Sequence, residues 1–65
     1  SIENNNSIKN IYQNLVNEMT LDEISLICNT SKSLVSRRLK MLISSRLVEK
    51  TKKDGKIIFK KKIIT

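Results

Sequence analysis

The first third of the chain carries an apolar stripe with the period of an amphipathic helix. Large apolar residues recur there at intervals of three or four positions, and two more widen the stripe: Ile8, Ile11, Tyr12, Leu15, Val16 and Met19. This spacing predicts a first helix. We expect it to begin at Ser7, whose hydroxyl can cap it. Residues 1–6 are then a flexible lead-in, because "SIENNN" is mostly polar.

A second helix is predicted to begin at the four residues "TLDE". The Thr20 hydroxyl can accept from the amide of Glu23 while the Glu23 carboxylate accepts from the amide of Thr20, which is a capping box. The inner side of this helix is expected to consist of Leu21, Ile24, Ile27 and Cys28. Asn29 tolerates a left-handed conformation and Ser31 is a good N-cap, so the second helix is short and a third follows at once.

The third helix is predicted to run from Lys32 to Ser45. Successive helical residues are about 100° apart, so apolar residues at the right spacing share one face. The inner face is Val35, Leu39 and Leu42, and the opposite face is Ser33, Ser36, Arg37, Lys40 and Ser44. Leu34 and Met41 lie on one flank, where we expect them to pack against the second helix. Arg38 lies nearer the inner side.

The pattern changes after Arg46. The segments "LVEKT" and "KIIFKKKII" are rich in β-branched and other apolar residues, and "KKDG" lies between them. Asp54 followed by Gly55 between such runs is a strong signal for a hairpin turn. The chain therefore predicts three helices followed by a β-hairpin, a small α+β fold formed by one domain over residues 7–65.

Charge is distributed unevenly along this fold. The chain has 13 Lys and Arg against 6 Asp and Glu, a net charge of +7. Residues 1–28 carry one cation and four acids, whereas residues 29–65 carry twelve cations and two acids. A field this one-sided favours a polyanionic partner, either nucleic acid or an anionic membrane surface. The alternative is that the lysines only keep the protein soluble, in an organism whose proteins are generally rich in lysine. This alternative does not explain the acidic first half.

Composition narrows the class of protein further. The chain has no His and a single Cys, Cys28, which excludes a disulfide framework or a Cys/His zinc site within one chain. We expect no metal, no cofactor and no enzymatic activity, and we interpret Asp22 and Glu23 as helix-start charges. No apolar run approaches the ~20 residues that span a bilayer, and the start is unlike a signal peptide. The expected location is cytoplasmic, in association with the nucleoid, with Cys28 in the core.

Two helices joined by a tight turn, the second with a basic polar face, are the elements of a helix-turn-helix, and a basic hairpin after them is a wing. The segment "TSKSLVSRRLKMLISSRLVEKTKKDGKIIFKK", roughly half the chain, resembles winged-helix transcriptional regulators of the ArsR and MarR kinds. The matching positions are Ser31, Ser33, Val35, Ser36, Arg37, Leu39, Leu42, Leu47, Val48, Glu49, Lys50, Asp54 and Gly55. The resemblance implies that the third helix enters a DNA major groove and that the wing touches the flanking backbone or minor groove.

The chain departs from those families at several positions. Arg46 stands where they usually close the third helix with Gly, so either Arg46 adopts a left-handed conformation at about 1 kcal/mol or the helix ends differently. Leu34 stands where a small polar residue is common. The paired-cysteine motif of the metal-sensing branch is absent from the sequence, so we do not expect metal sensing on that pattern.

The predicted partner is double-stranded DNA, and the predicted contacts fall into three groups. Arg37 is the main candidate for base readout, since Arg bonds guanine in bidentate fashion, with Ser33, Ser36 and Lys40 beside it. Thr30, Ser31 and Lys32 lie at the helix start, where amides and the helix dipole favour phosphate, although Ser31 is also a cap. The wing contributes Lys50, Lys52, Lys53 and Lys56. Lys60, Lys61 and Lys62 either bind DNA or protect a sheet edge from aggregation.

Two other functions fit the same elements. A winged helix can bind RNA, or it can bind another protein within a polymerase or plasmid-partition assembly, in which case the conspicuous face should be apolar. A homodimer is a further hypothesis. The apolar surfaces available for it are the tail Ile63-Ile64 and the stripe at Ile8 and Tyr12.

Overall fold

The structure, a computed structural model, describes the backbone of residues 2–63 and the side chains of residues 7–63. Its elements in chain order are α1 (Ile2–Asn14), α2 (Leu21–Cys28), α3 (Lys32–Ser44), β1 (Val48–Lys53) and β2 (Lys56–Lys61). The two strands form an antiparallel hairpin. This order confirms the predicted α+β fold and matches the winged-helix arrangement. Within residues 2–63, no helix is long and apolar enough to cross a membrane.

Helix α1 differs from the prediction at both ends. It begins at Ile2, so Ser7 lies inside the helix and the prediction of Ser7 as its cap is wrong. Most of the residues assigned to a lead-in are therefore helical. Neither Gly nor Pro interrupts them, and each residue added to an existing helix gains one hydrogen bond. The helix ends at Asn14, where the Leu15 amide donates to the Tyr12 carbonyl at 3.2 Å in a tighter last turn.

The segment after α1 contains a short strand pairing that the helical period concealed. Leu15 and Met19 are buried as predicted, yet both lie outside the helix. Met19 forms an isolated antiparallel bridge with Phe59 of β2. β2 is therefore hydrogen-bonded to β1 along one side and to Met19 along the other, which fixes the hairpin to the helical part of the domain.

The ends of α2 are as predicted. The capping box is present, with the Glu23 amide donating to Thr20 Oγ1 at 3.2 Å and the Thr20 amide donating to Glu23 Oε1 at 2.8 Å. Asn29 ends the helix with a φ of 53°, and the Thr30 amide donates to the Ser25 carbonyl at 3.1 Å. Together with the bond from the Asn29 amide to the Leu26 carbonyl, this is a Schellman motif.

The buried side of α2 is partly different from the prediction. Ile24 is fully buried, and Leu21 and Cys28 are half-buried against the core, but Ile27 is 53% exposed. The buried face is centred between Ile24 and Ser25, about 110° from Ile27 at 100° per residue. Ser25 is buried instead, and its hydroxyl donates to the Asp22 carbonyl at 2.9 Å.

Helix α3 begins at Lys32 as predicted and ends at Ser44, one residue before the predicted end. The Leu34 amide donates to Ser31 Oγ at 3.2 Å, which confirms the N-cap. Arg46 has a φ of 63°, so the first of its two alternatives, a left-handed residue, is confirmed. The Arg46 amide donates to the Ile43 carbonyl and the Leu47 amide to the Leu42 carbonyl, each at 3.0 Å, which is a second Schellman motif.

The inner face of α3 is confirmed, since Val35, Leu39 and Leu42 are 0–3% exposed. Of the two flank residues predicted to pack against α2, only one is shielded from solvent. Leu34 is half-buried and lines a small cavity together with Cys28, whereas Met41 is 50% exposed. Met41 comes two turns after Leu34 in the same helix.

The hairpin turns at Asp54 and Gly55, as predicted. Their φ values are 53° and 78°, and the register pairs Lys53 with Lys56, which defines a two-residue type I′ turn. The base of the hairpin joins the core, whose buried members are Ile11, Leu15, Met19, Ile24, Val35, Leu39, Leu42, Val48 and Phe59. The tip, residues 50–57, is exposed. The wing thus has a packed base and a solvated end.

Candidate nucleic-acid interface

The polar face of α3 is exposed opposite a fully buried face. Ser33, Arg37 and Lys40 are exposed and Ser36 is half-buried. Their spacing of three and four positions aligns them along one side of the helix. Among residues 7–63, no carboxylate lies within ion-pair distance of Arg37 or Lys40. Both cations are therefore available to an external anion or a hydrogen-bond acceptor.

Arg38 is directed differently from Arg37. It is half-buried and its Nε atom is inaccessible to solvent. This agrees with the prediction that Arg38 lies nearer the inner side of the helix. The exposed cationic face of α3 therefore consists of Arg37 and Lys40, without Arg38.

The start of α3 borders an open groove between α2 and α3. The groove is lined by Asp22, Ser25, Leu26, Asn29, Thr30, Ser31 and Lys32. Three of these are predicted DNA contacts, namely Thr30, Ser31 and Lys32. The Ser31 hydroxyl already accepts the capping hydrogen bond from the Leu34 amide. Lys32 forms an ion pair with Asp22, with Nζ 2.8 Å from Oδ1. The groove combines helix-start donors with a cation and a competing carboxylate.

The wing carries its predicted lysines on both faces. In an antiparallel pair, opposed residues share a face of the sheet. Lys50 is opposite Phe59 and Lys52 is opposite Ile57, whereas Lys53 is opposite Lys56. Because neighbouring residues alternate, Lys50 and Lys52 project from one face and the other two from the reverse face. All four are exposed. The tip presents cations to either side of the hairpin, which the sequence alone did not indicate.

The lysines near the end of β2 have partners within the protein. Lys60 Nζ lies 4.0 Å from Glu49 Oε2, and Lys61 Nζ lies 4.7 Å from the centroid of the Tyr12 ring. The second geometry is a cation–π contact. At Phe59, β2 is not an edge strand, because it pairs with β1 on one side and with Met19 on the other. Protection of a free sheet edge is therefore a weaker explanation for these lysines. Their DNA contact stays an open prediction.

Glu18 was missed by the sequence reasoning. Its Oε1 atom accepts from Lys53 Nζ at 3.0 Å, across 35 positions of the chain. The only sequence signal for such a contact is the uneven charge distribution, because the acidic first half of the chain and the basic second half belong to one domain. The Met19–Phe59 bridge, directly after Glu18 in the chain, joins this segment to the wing.

Cys28 packs against the core as a half-buried residue, as predicted. Burial raises the pKa of the Cys28 thiol, so the reactive thiolate is disfavoured. In the part of the chain that the structure describes, no three His, Cys, Asp or Glu residues cluster in a way that can hold a metal ion.

No protein-family model matches the chain, and no curated protein matches it significantly. A functional conclusion therefore has to come from the fold and from these residues.

Proposed function

We propose that the protein binds double-stranded DNA sequence-specifically, as a small transcriptional regulator or as the DNA-binding module of one. Helix α3 lies in the major groove and the wing lies on the flanking backbone or minor groove. The observation that carries this proposal is the two-sided character of α3. Val35 and Leu39 anchor one side completely, while Arg37 and Lys40 on the other side lack a carboxylate partner among the described residues.

The exposed side chains of α3 have the chemistry of base readout. The major groove of B-DNA is about 12 Å wide and admits one helix. The Arg37 guanidinium can donate two hydrogen bonds to guanine O6 and N7, and the Ser33 and Ser36 hydroxyls can pair with several base edges. A rigid helix favours this role, since its packed face restricts how the polar face approaches the bases.

The wing supplies sequence-independent affinity. Its exposed lysines, Lys50, Lys52, Lys53 and Lys56, lie at the end of a hairpin whose base is held in the core. Each phosphate that such a cation neutralises releases condensed counterions, which makes binding salt-dependent. The element order, three helices followed by an antiparallel hairpin, is compatible with the same arrangement.

A protein partner is a second candidate, for the exposed apolar residues of α2. Leu26 is 82% exposed and Ile27 is 53% exposed. An apolar pair of this kind favours a protein contact there. Such a contact leaves Arg37 and Lys40 accessible, but it competes with DNA for the groove at the start of α3, which Leu26 also lines. Double-stranded RNA is less favoured as a ligand of α3, because the major groove of an A-form helix is too deep and narrow for a helix to read.

The test is a selection from a random duplex library, followed by titration of the selected duplex. Random duplex, single strand and RNA of equal length serve as competitors at two salt concentrations. We expect the selected duplex to bind at least about 10³-fold more tightly than random duplex at physiological salt. Equal affinity for all four nucleic acids, or no binding to any, would contradict the proposal.

A further inference from the structure

Two of the lysines assigned to phosphate contact already hold a carboxylate. Lys32 Nζ is 2.8 Å from Asp22 Oδ1, and Lys53 Nζ is 3.0 Å from Glu18 Oε1. Each pair joins two separate elements. The first connects the start of α3 to the start of α2, and the second connects the wing to the segment before α2. Both acids thus lie where the proposed interface needs positive charge.

Neither pair has the burial of a structural salt bridge. The side chains of Lys32 and Asp22 are 62% and 74% exposed, and those of Lys53 and Glu18 are 61% and 41% exposed. Exposed ion pairs contribute little to folding stability. Breaking either pair therefore leaves the fold in place, and the lysine is free to take another anion.

A phosphate oxygen and a carboxylate oxygen accept from the same ammonium group. A DNA phosphate approaching Lys53 meets Glu18, and one approaching Lys32 meets Asp22 in the same groove. The lysine must then leave its carboxylate, or two anions must lie side by side. Both outcomes weaken the phosphate contact.

We propose that Glu18 and Asp22 compete with DNA phosphates for Lys53 and Lys32, and so lower the affinity for duplexes of every sequence. This inference rests on the proposed function. Phosphate contacts supply essentially all non-specific affinity, whereas base contacts supply preference. The two carboxylates therefore act through the lysines that they hold, and they set the overall affinity for DNA. The base preference given by Arg37 is independent of them.

The test uses Glu18→Gln and Asp22→Asn, with Glu23→Gln as the matched control. Glu23→Gln removes one negative charge from the first turn of α2, next to Asp22 and five positions after Glu18. It keeps the capping box, since Gln also serves at that position. Affinity is measured by fluorescence anisotropy for a selected duplex and for random duplex. Each of the two variants should bind both duplexes about two- to five-fold more tightly at low salt, as expected for release of an exposed ion pair. Glu23→Gln should bind nearly as the unaltered protein does.

A double-mutant cycle separates competition from general charge. In a Lys53→Ala background the gain from Glu18→Gln should disappear, and in a Lys32→Ala background the gain from Asp22→Asn should disappear. Gains that persist without the lysine, or an equal gain from Glu23→Gln, would overturn the competition. Absence of duplex binding by the unaltered protein and by every variant would instead overturn the proposed function. Thermal unfolding of each variant verifies that the fold is retained.

Discussion

The Met19 amide donates to the Phe59 carbonyl at 2.9 Å, and the Phe59 amide donates back to the Met19 carbonyl at 2.7 Å. Both side chains are buried, at 6% and 8% exposure. This reciprocal pair joins the segment between α1 and α2 to the inner strand of the wing. The direction of the wing relative to α3 is therefore fixed by the core and not by the turn at its tip.

Phe59→Ala should strongly destabilise the domain. Removing a buried Phe typically costs about 3–5 kcal/mol, which is comparable to the whole stability of a small domain. Urea unfolding followed by circular dichroism measures the loss. Ile57→Ala is the control on the same strand, because Ile57 is 48% exposed and its loss should be small. A loss below about 1 kcal/mol for Phe59→Ala would mean that the wing is not anchored by this residue.

Arg37→Ala should weaken binding to a selected duplex by about 1–3 kcal/mol and relax the preference at one base pair. The reason is the loss of a bidentate contact to guanine. Affinities are measured for the selected duplex, for its single-base variants and for random duplex. Arg46→Gly is the charge-matched control, nine residues farther along the chain and two residues past the end of α3. Equal losses on selected and random duplex would make Arg37 a phosphate contact.

Replacing both Lys52 and Lys53 by Ala should weaken binding to all duplexes alike. Each lost phosphate contact lowers the slope of log affinity against log salt by about 0.9, so the pair should lower it by about 2. The fold should persist, since both residues are exposed and the Lys53–Glu18 pair is worth at most about 1 kcal/mol. Titrations at several salt concentrations give the slope, with Lys9→Ala in α1 as control. An unchanged slope would place the backbone contact elsewhere.

Arg46→Gly should stabilise the domain by roughly 0.5–1 kcal/mol. Arg46 has a φ of 63°, a conformation that is unfavourable for a residue with a Cβ atom and costs Gly nothing. The Schellman bonds that end α3 use backbone atoms only and are retained. Thermal unfolding gives the shift. Asn29→Gly should change stability less, because Asn tolerates the left-handed region better. A lower melting temperature for Arg46→Gly would contradict this prediction and would mean that the Arg46 side chain makes a stabilising contact.

The features predicted correctly from sequence depend on residues close together in the chain. The capping box at Thr20 and Glu23 spans three positions, and so does the bond from Leu34 to Ser31. The type I′ turn needs only an Asp-Gly pair between two strand-like runs. For these features the local residue types determine the geometry directly.

The features missed depend on contacts between distant segments. Met19 continues the apolar period of α1, yet it pairs with Phe59 instead of extending the helix. Ile27 has the spacing of an inner residue, but the packing of α2 on the rest of the domain buries Ser25 and leaves Ile27 53% exposed. The ion pair of Lys53 with Glu18 follows from the Met19 bridge and leaves no local signal.

The reciprocal Met19–Phe59 pair also determines when the domain can fold during synthesis. Its partners are forty residues apart, and Phe59 is the last member of the buried cluster to be made. The core cannot close before β2 is made, because the Met19–Phe59 pair closes a long loop. Until then Met19 lacks its partner strand and stays accessible to chaperones. The core is thus completed in one step, after all of its helices have been synthesised.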